Sequence, residues 1–238
     1  MRDLAAERGN SILDHRHRIT ISAVYDSPFF KHSSSWLTRN LLGNYEIAPV
    51  FTWESGQAGT TQSGVDSNLN SDGAGDRTIV NPGGVPGTGS DVVQLCNSSL
   101  PSGHLCNGDP DPTFDPSPFV VGYQAVNPSA QYIIAGVGAL ANAPRSTLVT
   151  PPINNWDITL VKHIAVTERV RIEVMAGFLN ALNHPQYVTG SVNQANEISV
   201  TGQGQRNYFI PNASNFNNAR LSFPSNARTA QLGLKFSF

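Results

Sequence analysis

Charged side chains are scarce in this chain, and no part of it forms a long apolar run. Asp, Glu, Lys and Arg make up 13% of the 238 residues, about half of the ~25% that is usual in a soluble domain. The formal net charge of −2 gives no electrostatic reason to expect a nucleic-acid partner. Because no stretch of ~18 apolar residues occurs, a transmembrane helix is excluded as well. A membrane β-barrel stays open, since its strands carry only a weak hydropathy signal.

Cysteine is equally scarce, and both copies, Cys96 and Cys106, lie in one long polar stretch. In an oxidising compartment such as the periplasm we expect them to form a disulfide that staples this stretch, whereas in the cytosol they would be free thiols. No CxxC motif or Cys/His cluster indicates a zinc site. The sequence also lacks a Ser/His/Asp arrangement with a nucleophile elbow, so we expect a protein that is not an enzyme.

What the chain does contain is glycine and proline, with 21 and 16 copies, between segments of alternating apolar and polar residues. This pattern predicts an all-β, antiparallel fold. The predicted strands cover about residues 17–25, 44–54, 155–164, 169–182 and 228–238. Two connections, 26–43 and 165–168, are the shorter ones, although 26–43 is long for a turn. The other two, 55–152 and 183–227, are very long.

Short and long connections on alternate sides are typical of outer-membrane barrels, whose turns face the periplasm and whose long loops face the outside. We therefore predict that 55–152 and 183–227 are extracellular. Alternation within a strand gives it two faces, which predicts Val174 towards lipid and Arg171, Glu173 and Met175 towards the lumen.

Five strands are too few to close a barrel, and a bilayer does not tolerate unpaired strand edges. The first residues also carry no apolar segment of the kind found in a signal peptide. We therefore expect this chain to be the C-terminal piece of a longer barrel, or other subunits to supply the missing strands.

The last predicted strand ends the chain on a phenylalanine and has a wholly apolar face. Gln231, Gly233, Lys235 and Ser237 alternate with the apolar residues Leu232, Leu234, Phe236 and Phe238. A soluble protein would bury such a face, and a membrane barrel would turn it towards lipid. The pattern also resembles the C-terminal signal that the outer-membrane assembly machinery recognises. Membrane lipid and that machinery are therefore predicted partners.

One polar segment has the spacing of a calcium-binding loop. Oxygen-bearing side chains recur at Asp66, Asn68, Asn70 and Asp72, and Gly73 follows. Alternate spacing lets a turning backbone direct several oxygens at one hard cation, and glycine permits the sharp turn. The bidentate glutamate of an EF-hand is missing, and Asp76 is the nearest substitute. The alternative is a solvated turn rich in Asn, Asp and Gly. No cofactor is otherwise required.

Several motifs together resemble one family. They are Asp14-His-Arg-His-Arg18, Pro151-Pro-Ile-Asn-Asn-Trp-Asp157, Phe178-Leu-Asn-Ala-Leu-Asn-His-Pro185 and the final Leu234-Lys-Phe-Ser-Phe238. The chain is similar in these segments to the Oar-like TonB-dependent outer-membrane receptors. This resemblance implies the last strands of a barrel of about 22 strands. It also implies an upstream plug that couples to the TonB complex, and extracellular loops that bind an unidentified substrate.

Two other functions remain compatible with the sequence. The first is a structural or adhesive outer-membrane protein that uses the same barrel without transport. The second is a soluble, secreted β-sandwich that binds carbohydrate, which would stay in solution without detergent. An upstream plug with a TonB box would distinguish the transporter from the first alternative.

Overall fold

The computed structural model describes residues 8–11, 14–71, 76–187, 207–223 and 225–238. The chain divides into two compact units. We call residues 15–56, 151–188 and 225–238 the sheet unit, and residues 1–14, 57–150 and 189–224 the loop unit. In chain order the elements are β1 Arg18–Ser22, β2 Tyr25–Asp26, α1 Trp36–Leu42, β3 Tyr45–Glu54, β4 Ala58–Gly59, β5 Ile79–Val80, β6 Val85–Ser90, β7 Val92–Cys96, a 3₁₀ helix Ser117–Phe119, β8 Val120–Ala125, β9 Ala130–Ile133, β10 Leu148–Val149, β11 Ile153–Ala165, β12 Arg171–Leu179, α2 Ala219–Ser222 and β13 Thr229–Ser237.

The sheet unit is one antiparallel sheet in the order β1-β3-β11-β12-β13, with β2 paired to the start of β3. A strand lies at each of the five predicted places. Predicted strand 169–182 is shorter in the structure because a hydrogen-bonded turn precedes it and a residue with left-handed backbone follows it. Val166 N donates to Val170 O at 3.0 Å before it, and Asn180 takes a left-handed φ of 50° after it.

Pro49 lies within β3 although it cannot donate a hydrogen bond to a ladder. Its carbonyl accepts from Ala23 N at 3.1 Å, so its nitrogen faces the same side, where the ladder is interrupted between β1 and β2. In an antiparallel strand one residue directs its N–H and C=O to the same neighbour. The missing donor therefore falls at the gap, and the ladder to β11 stays continuous.

The long connection predicted over 55–152 is folded, and its described residues form seven short strands. They form a three-stranded sheet β5-β9-β6 and two pairs, β7-β8 and β10-β4. The β6–β9 pairing is parallel, unlike the pairings of the sheet unit. These strands have two to six residues each, and the three strands of two residues cannot show alternation.

Aromatic side chains build the core of the loop unit. Tyr208 is 1% exposed, and its ring centroid lies 5.0 Å from that of Phe209 and 4.9 Å from that of Phe223. Burial raises the pKa of Tyr208 to about 12. Tyr132 packs edge-on against Phe216 at 5.9 Å. Among the described residues, Val161 is the only buried apolar side chain of the sheet unit, so that unit has almost no hydrophobic core of its own.

Candidate functional site

The strand register brings most of the large apolar residues of the five long strands to one face of the sheet. Leu160 of β11 pairs with Ile47 of β3 and with Ala176 of β12, which in turn pairs with Leu232 of β13. Because side chains alternate along each strand, the rows above and below this one share its face. This apolar face consists of Ile19, Ile21, Tyr25, Tyr45, Ile47, Pro49, Phe51, Trp53, Trp156, Ile158, Leu160, Ile164, Ile172, Val174, Ala176, Phe178, Leu232, Leu234 and Phe236.

Much of this face has no protein covering within its own unit. Leu232 is 84% exposed, Phe236 59% and Ile21 58%. A contiguous exposed apolar surface is rare where a protein meets water, and it marks contact with a membrane or with another protein. One charged side chain lies on the face, Lys162, and its ammonium is 4.0 Å from the ring centroid of Tyr45. Lys162 also donates a hydrogen bond to the Gly43 carbonyl, so its charge reaches beyond the strand end while its stem stays on the face.

The opposite face of the same sheet carries a row of ionisable side chains across four strands. Glu46, His163, Glu173 and Lys235 come from β3, β11, β12 and β13 in turn. His163 lies 3.7 Å from Glu46 and 3.8 Å from Glu173. Lys235 lies 3.2 Å from Glu173. These are distances between side-chain nitrogen and carboxylate oxygen. One sheet therefore separates an apolar face from an ion-paired face.

The residues predicted to face the lumen lie on this polar side. Arg171, Glu173 and Met175 occupy alternate positions of β12, and Met175 pairs with Val161 and Gly233. The predicted lipid-facing residue, Val174, pairs with Leu234 and Lys162 on the other side.

The predicted assembly-signal residues lie in and just after β13. Leu232, Leu234 and Phe236 share the apolar face, and Phe238, which follows the strand, is fully exposed. Among the described strands β13 pairs with β12 alone, and β1 pairs with β3 alone, so these strands form an open sheet. Both edges present backbone groups to which further strands could bond.

The Phe178–Pro185 motif forms a corner at the C-terminal end of β12. Asn180 is 1% exposed, and its backbone N–H donates to the Asp157 carboxylate at 2.9 Å. Its side-chain amide donates to the carbonyls of His184 and Asn226 at 2.9 and 3.1 Å. A buried amide with all these partners holds three chain segments together. The motif therefore stabilises the corner, and sequence reasoning had not identified that role.

The loop unit contains a stapled subloop. The sulfurs of Cys96 and Cys106 are bonded, with 5.8 Å between the Cα atoms. Just beyond, the Asp109 carboxylate accepts from Leu105 N and lies 3.2 Å from His104 Nδ1. The Leu105 N–H is the main cause that lowers the pKa of Asp109 below its ordinary 3.8. The His104 ring also stacks on the ring of Phe114, with 3.9 Å between the two centroids.

Two cavities flank the β7–β8 pair. The smaller one, of about 470 Å³, is lined by Asp91, Gln94, Asp109, Asp111, Phe114 and Tyr123 among others. The second, of about 760 Å³, has mainly apolar walls that include Val121, Ile133 and Val137. Both volumes fall in the ~300–1,000 Å³ range of small-molecule sites. No sequence signal identified these residues, because they come together from distant segments of the loop.

The predicted calcium ligands engage one another and the backbone. Both carboxylate oxygens of Asp76 accept from Asn68, from its backbone N–H at 2.7 Å and its side-chain amide at 2.8 Å. Asp66 accepts from the N–H of Asn70 at 3.1 Å. Asp72 lies outside the described residues, within which no group of three or more His, Cys, Asp and Glu could hold a metal ion. Calcium binding stays a prediction.

No described helix is long and apolar enough to cross a membrane. A sheet with one lipid-compatible face and one ion-paired face, joined by long folded connections, is typical of outer-membrane β-barrel proteins. The sequence matches the family model of the outer membrane β-barrel domain over residues 1–229. The chain belongs to this family and is a protein of the bacterial outer membrane. No curated protein and no solved structure matches it.

Proposed function

We propose that this chain forms part of the barrel wall and the substrate-binding loops of a TonB-dependent outer-membrane receptor of the Oar-like type. The observation that carries the proposal is the separation of faces in the sheet unit. The apolar face would meet lipid, and the row from Glu46 to Lys235 would line the lumen. Further strands would pair with the open edges of β1 and β13, because a bilayer requires every strand edge to be satisfied.

The long connections support the extracellular assignment. The ends of β3 and β12 lie beside the starts of β11 and β13, since Ile153 pairs with Glu54 and Leu179 pairs with Thr229. These four strand termini are therefore at the same end of the strands. The connections 57–150 and 189–224 follow and precede these strand ends in the sequence, and both belong to the loop unit. Its cavities would take the substrate, and the TonB complex would supply energy through a plug.

The cavity beside the stapled subloop favours a receptor over a purely structural barrel. Asp91, Asp109 and Asp111 give it acidic walls, and Phe114 and Tyr123 add aromatic faces. Hydrogen bonds donated by the hydroxyl and the backbone N–H of Thr113 lower the pKa of Asp111, so its carboxylate is charged near neutral pH. This lining suits neutral or cationic ligands and disfavours anionic ones. The competing soluble carbohydrate binder does not fit the outer-membrane location.

Transport is tested by deleting this chain in its source bacterium and comparing uptake of siderophores, cobalamin and glycans. We expect the deletion to abolish uptake of one of these substrates, and deletion of TonB to abolish uptake of the same substrate. Full uptake of every substrate would favour the structural or adhesive alternative.

A matched pair of variants then assigns the cavity. Phe114→Ala removes a cavity wall, whereas Phe119→Ala removes its stacking neighbour, 6.1 Å away, which is not part of the lining. We expect Phe114→Ala alone to weaken substrate capture. Equal effects would point to a general loss of packing.

A further inference from the structure

Helix α1 exposes apolar side chains and buries a polar one, which is the opposite of a helix in a water-soluble domain. Such a helix normally buries its apolar stripe and exposes its polar side chains. In α1 the buried side chain is Asn40, which is 5% exposed, whereas Leu37, Leu41 and Leu42 are 63%, 61% and 51% exposed. The helix therefore presents leucines outward and keeps an amide inside.

The buried side of α1 is tied to the end of β11. Asn40 donates to the Ala165 carbonyl at 3.2 Å and accepts from the Ala165 N–H at 3.0 Å. Trp36 Nε1, one turn earlier, donates to the same carbonyl at 3.1 Å. At the other end of the helix, the Tyr45 hydroxyl donates to the Leu41 carbonyl at 3.0 Å. These bonds hold the leucines in an outward orientation.

Two phenylalanines extend the apolar surface of the helix. Phe29 and Phe30 are 65% and 52% exposed. The Phe30 backbone lies beside the end of α1, since a Cβ added at Gly43 would be only 2.9 Å from it. The close approach needs a residue without a side chain. We call this surface the apolar cluster; it consists of Phe29, Phe30, Trp36, Leu37, Leu41 and Leu42.

The apolar cluster continues the lipid-facing side of the sheet. Tyr45, which binds the helix through Leu41, is itself a residue of the apolar face. The segment 27–45 contains Lys31 and Arg39 but no aspartate or glutamate. Exposed leucines and aromatic rings with nearby cations are the composition of helices that lie in a membrane interface and attract anionic lipids.

We propose that α1 and the Phe29–Phe30 turn form an interfacial anchor that rests in the phospholipid headgroup layer on the periplasmic side. Leu37, Leu41 and Leu42 reach the upper acyl chains, and Lys31 and Arg39 lie at the phosphate level. The inference rests on the proposed orientation of the sheet, in which connection 26–43 is periplasmic. It also accounts for the length of that connection, which exceeds that of a simple turn.

Trp36 is a built-in reporter of this contact. The full chain carrying Trp53→Phe and Trp156→Phe is reconstituted in vesicles of phosphatidylethanolamine and phosphatidylglycerol. The lipids carry bromine on the acyl chain, either near the headgroup or near the terminal methyl group. We expect Trp36 to be quenched most strongly by the shallow bromine, since interfacial helices sink only ~5–10 Å into the boundary. The complementary Trp36→Phe chain reports Trp53 and Trp156 on the apolar face.

The two chains separate the possible failures. Quenching of Trp53 and Trp156 without quenching of Trp36 would overturn the anchor and leave the barrel proposal intact. Quenching of none would overturn both. A leucine pair tests the mechanism: Leu37→Ser with Leu41→Ser should abolish shallow quenching and shift Trp36 emission to the red. The matched Leu140→Ser change, at a loop-unit leucine that is 87% exposed, should leave both signals unchanged. Retained quenching in the double variant would refute the role of the leucines.

Discussion

Replacing Leu232 by arginine tests the lipid face most directly. Leu232 is 84% exposed, so the change removes little packing and reports mainly the surrounding medium. The residue lies six positions before Phe238. The proposed orientation puts Phe238 at the periplasmic boundary of the bilayer. From there, a rise of ~3.4 Å per residue and a strand tilt of ~40° give Leu232 a depth of ~15 Å, which is half of a ~30 Å hydrocarbon core. Arginine at mid-depth lowers the free energy of unfolding by ~2–4 kcal/mol, whereas an exposed site in water changes it by less than ~0.5 kcal/mol.

The neighbouring residue supplies the control. Gln231 lies on the polar face of the same strand, opposite Gly177, and it is also exposed. Both variants are unfolded by denaturant in phospholipid vesicles, with tryptophan fluorescence as the signal. We expect Gln231→Arg to stay within ~0.5 kcal/mol of the parent. Equal large costs would refute the assignment of faces, and two small costs would refute contact between this strand and lipid.

Four further predictions address the remaining features. Removing Phe238 should lower the amount of chain assembled in the outer membrane, measured by fractionation; an unchanged amount would argue against an assembly signal. Replacing Cys96 and Cys106 by serine should destabilise the loop unit by up to ~3 kcal/mol, seen as faster proteolysis, and equal proteolysis rates would contradict the staple. The pKa of Asp109 is lowered from 3.8, so its stabilising effect is present above pH 3.8 and lost as pH falls through the lowered pKa; hydrogen exchange in the subloop should accelerate only there. Millimolar calcium should release heat in calorimetry of the chain but not of its Asp76→Asn variant, and no heat from either would end the calcium hypothesis.

Strand positions could be predicted because their signal is local. Alternation at period two is visible within one segment, so Leu232, Leu234 and Phe236 could be assigned to one face without knowledge of any partner strand. The ends were harder to predict. β12 stops at Leu179 because Asn180 adopts a left-handed φ and bonds to segments far along the chain. Nothing in the sequence around Asn180 shows those partners.

The strands and cavities within the long connection could not be predicted either, and the reason is different. β6 and β9 pair in parallel, and each covers few residues, so neither alternation nor a hairpin turn indicates them. Their cavities depend on side chains such as Asp91 and Phe114, which are brought together only after the sheet β5-β9-β6 and the β7–β8 pair have formed.

The sequence by itself determined the class of this protein through its low charge, its strands with one apolar face, and its connections, which are alternately short and long. These properties are local or compositional, so the sequence shows them without knowledge of the tertiary structure. Only the tertiary structure decided which residues meet. Strand register aligns Glu46, His163, Glu173 and Lys235 in one row, and contacts with Ala165 turn the leucines of α1 outward. Register and helix orientation depend on pairings between distant segments, which the pattern within any single segment does not contain.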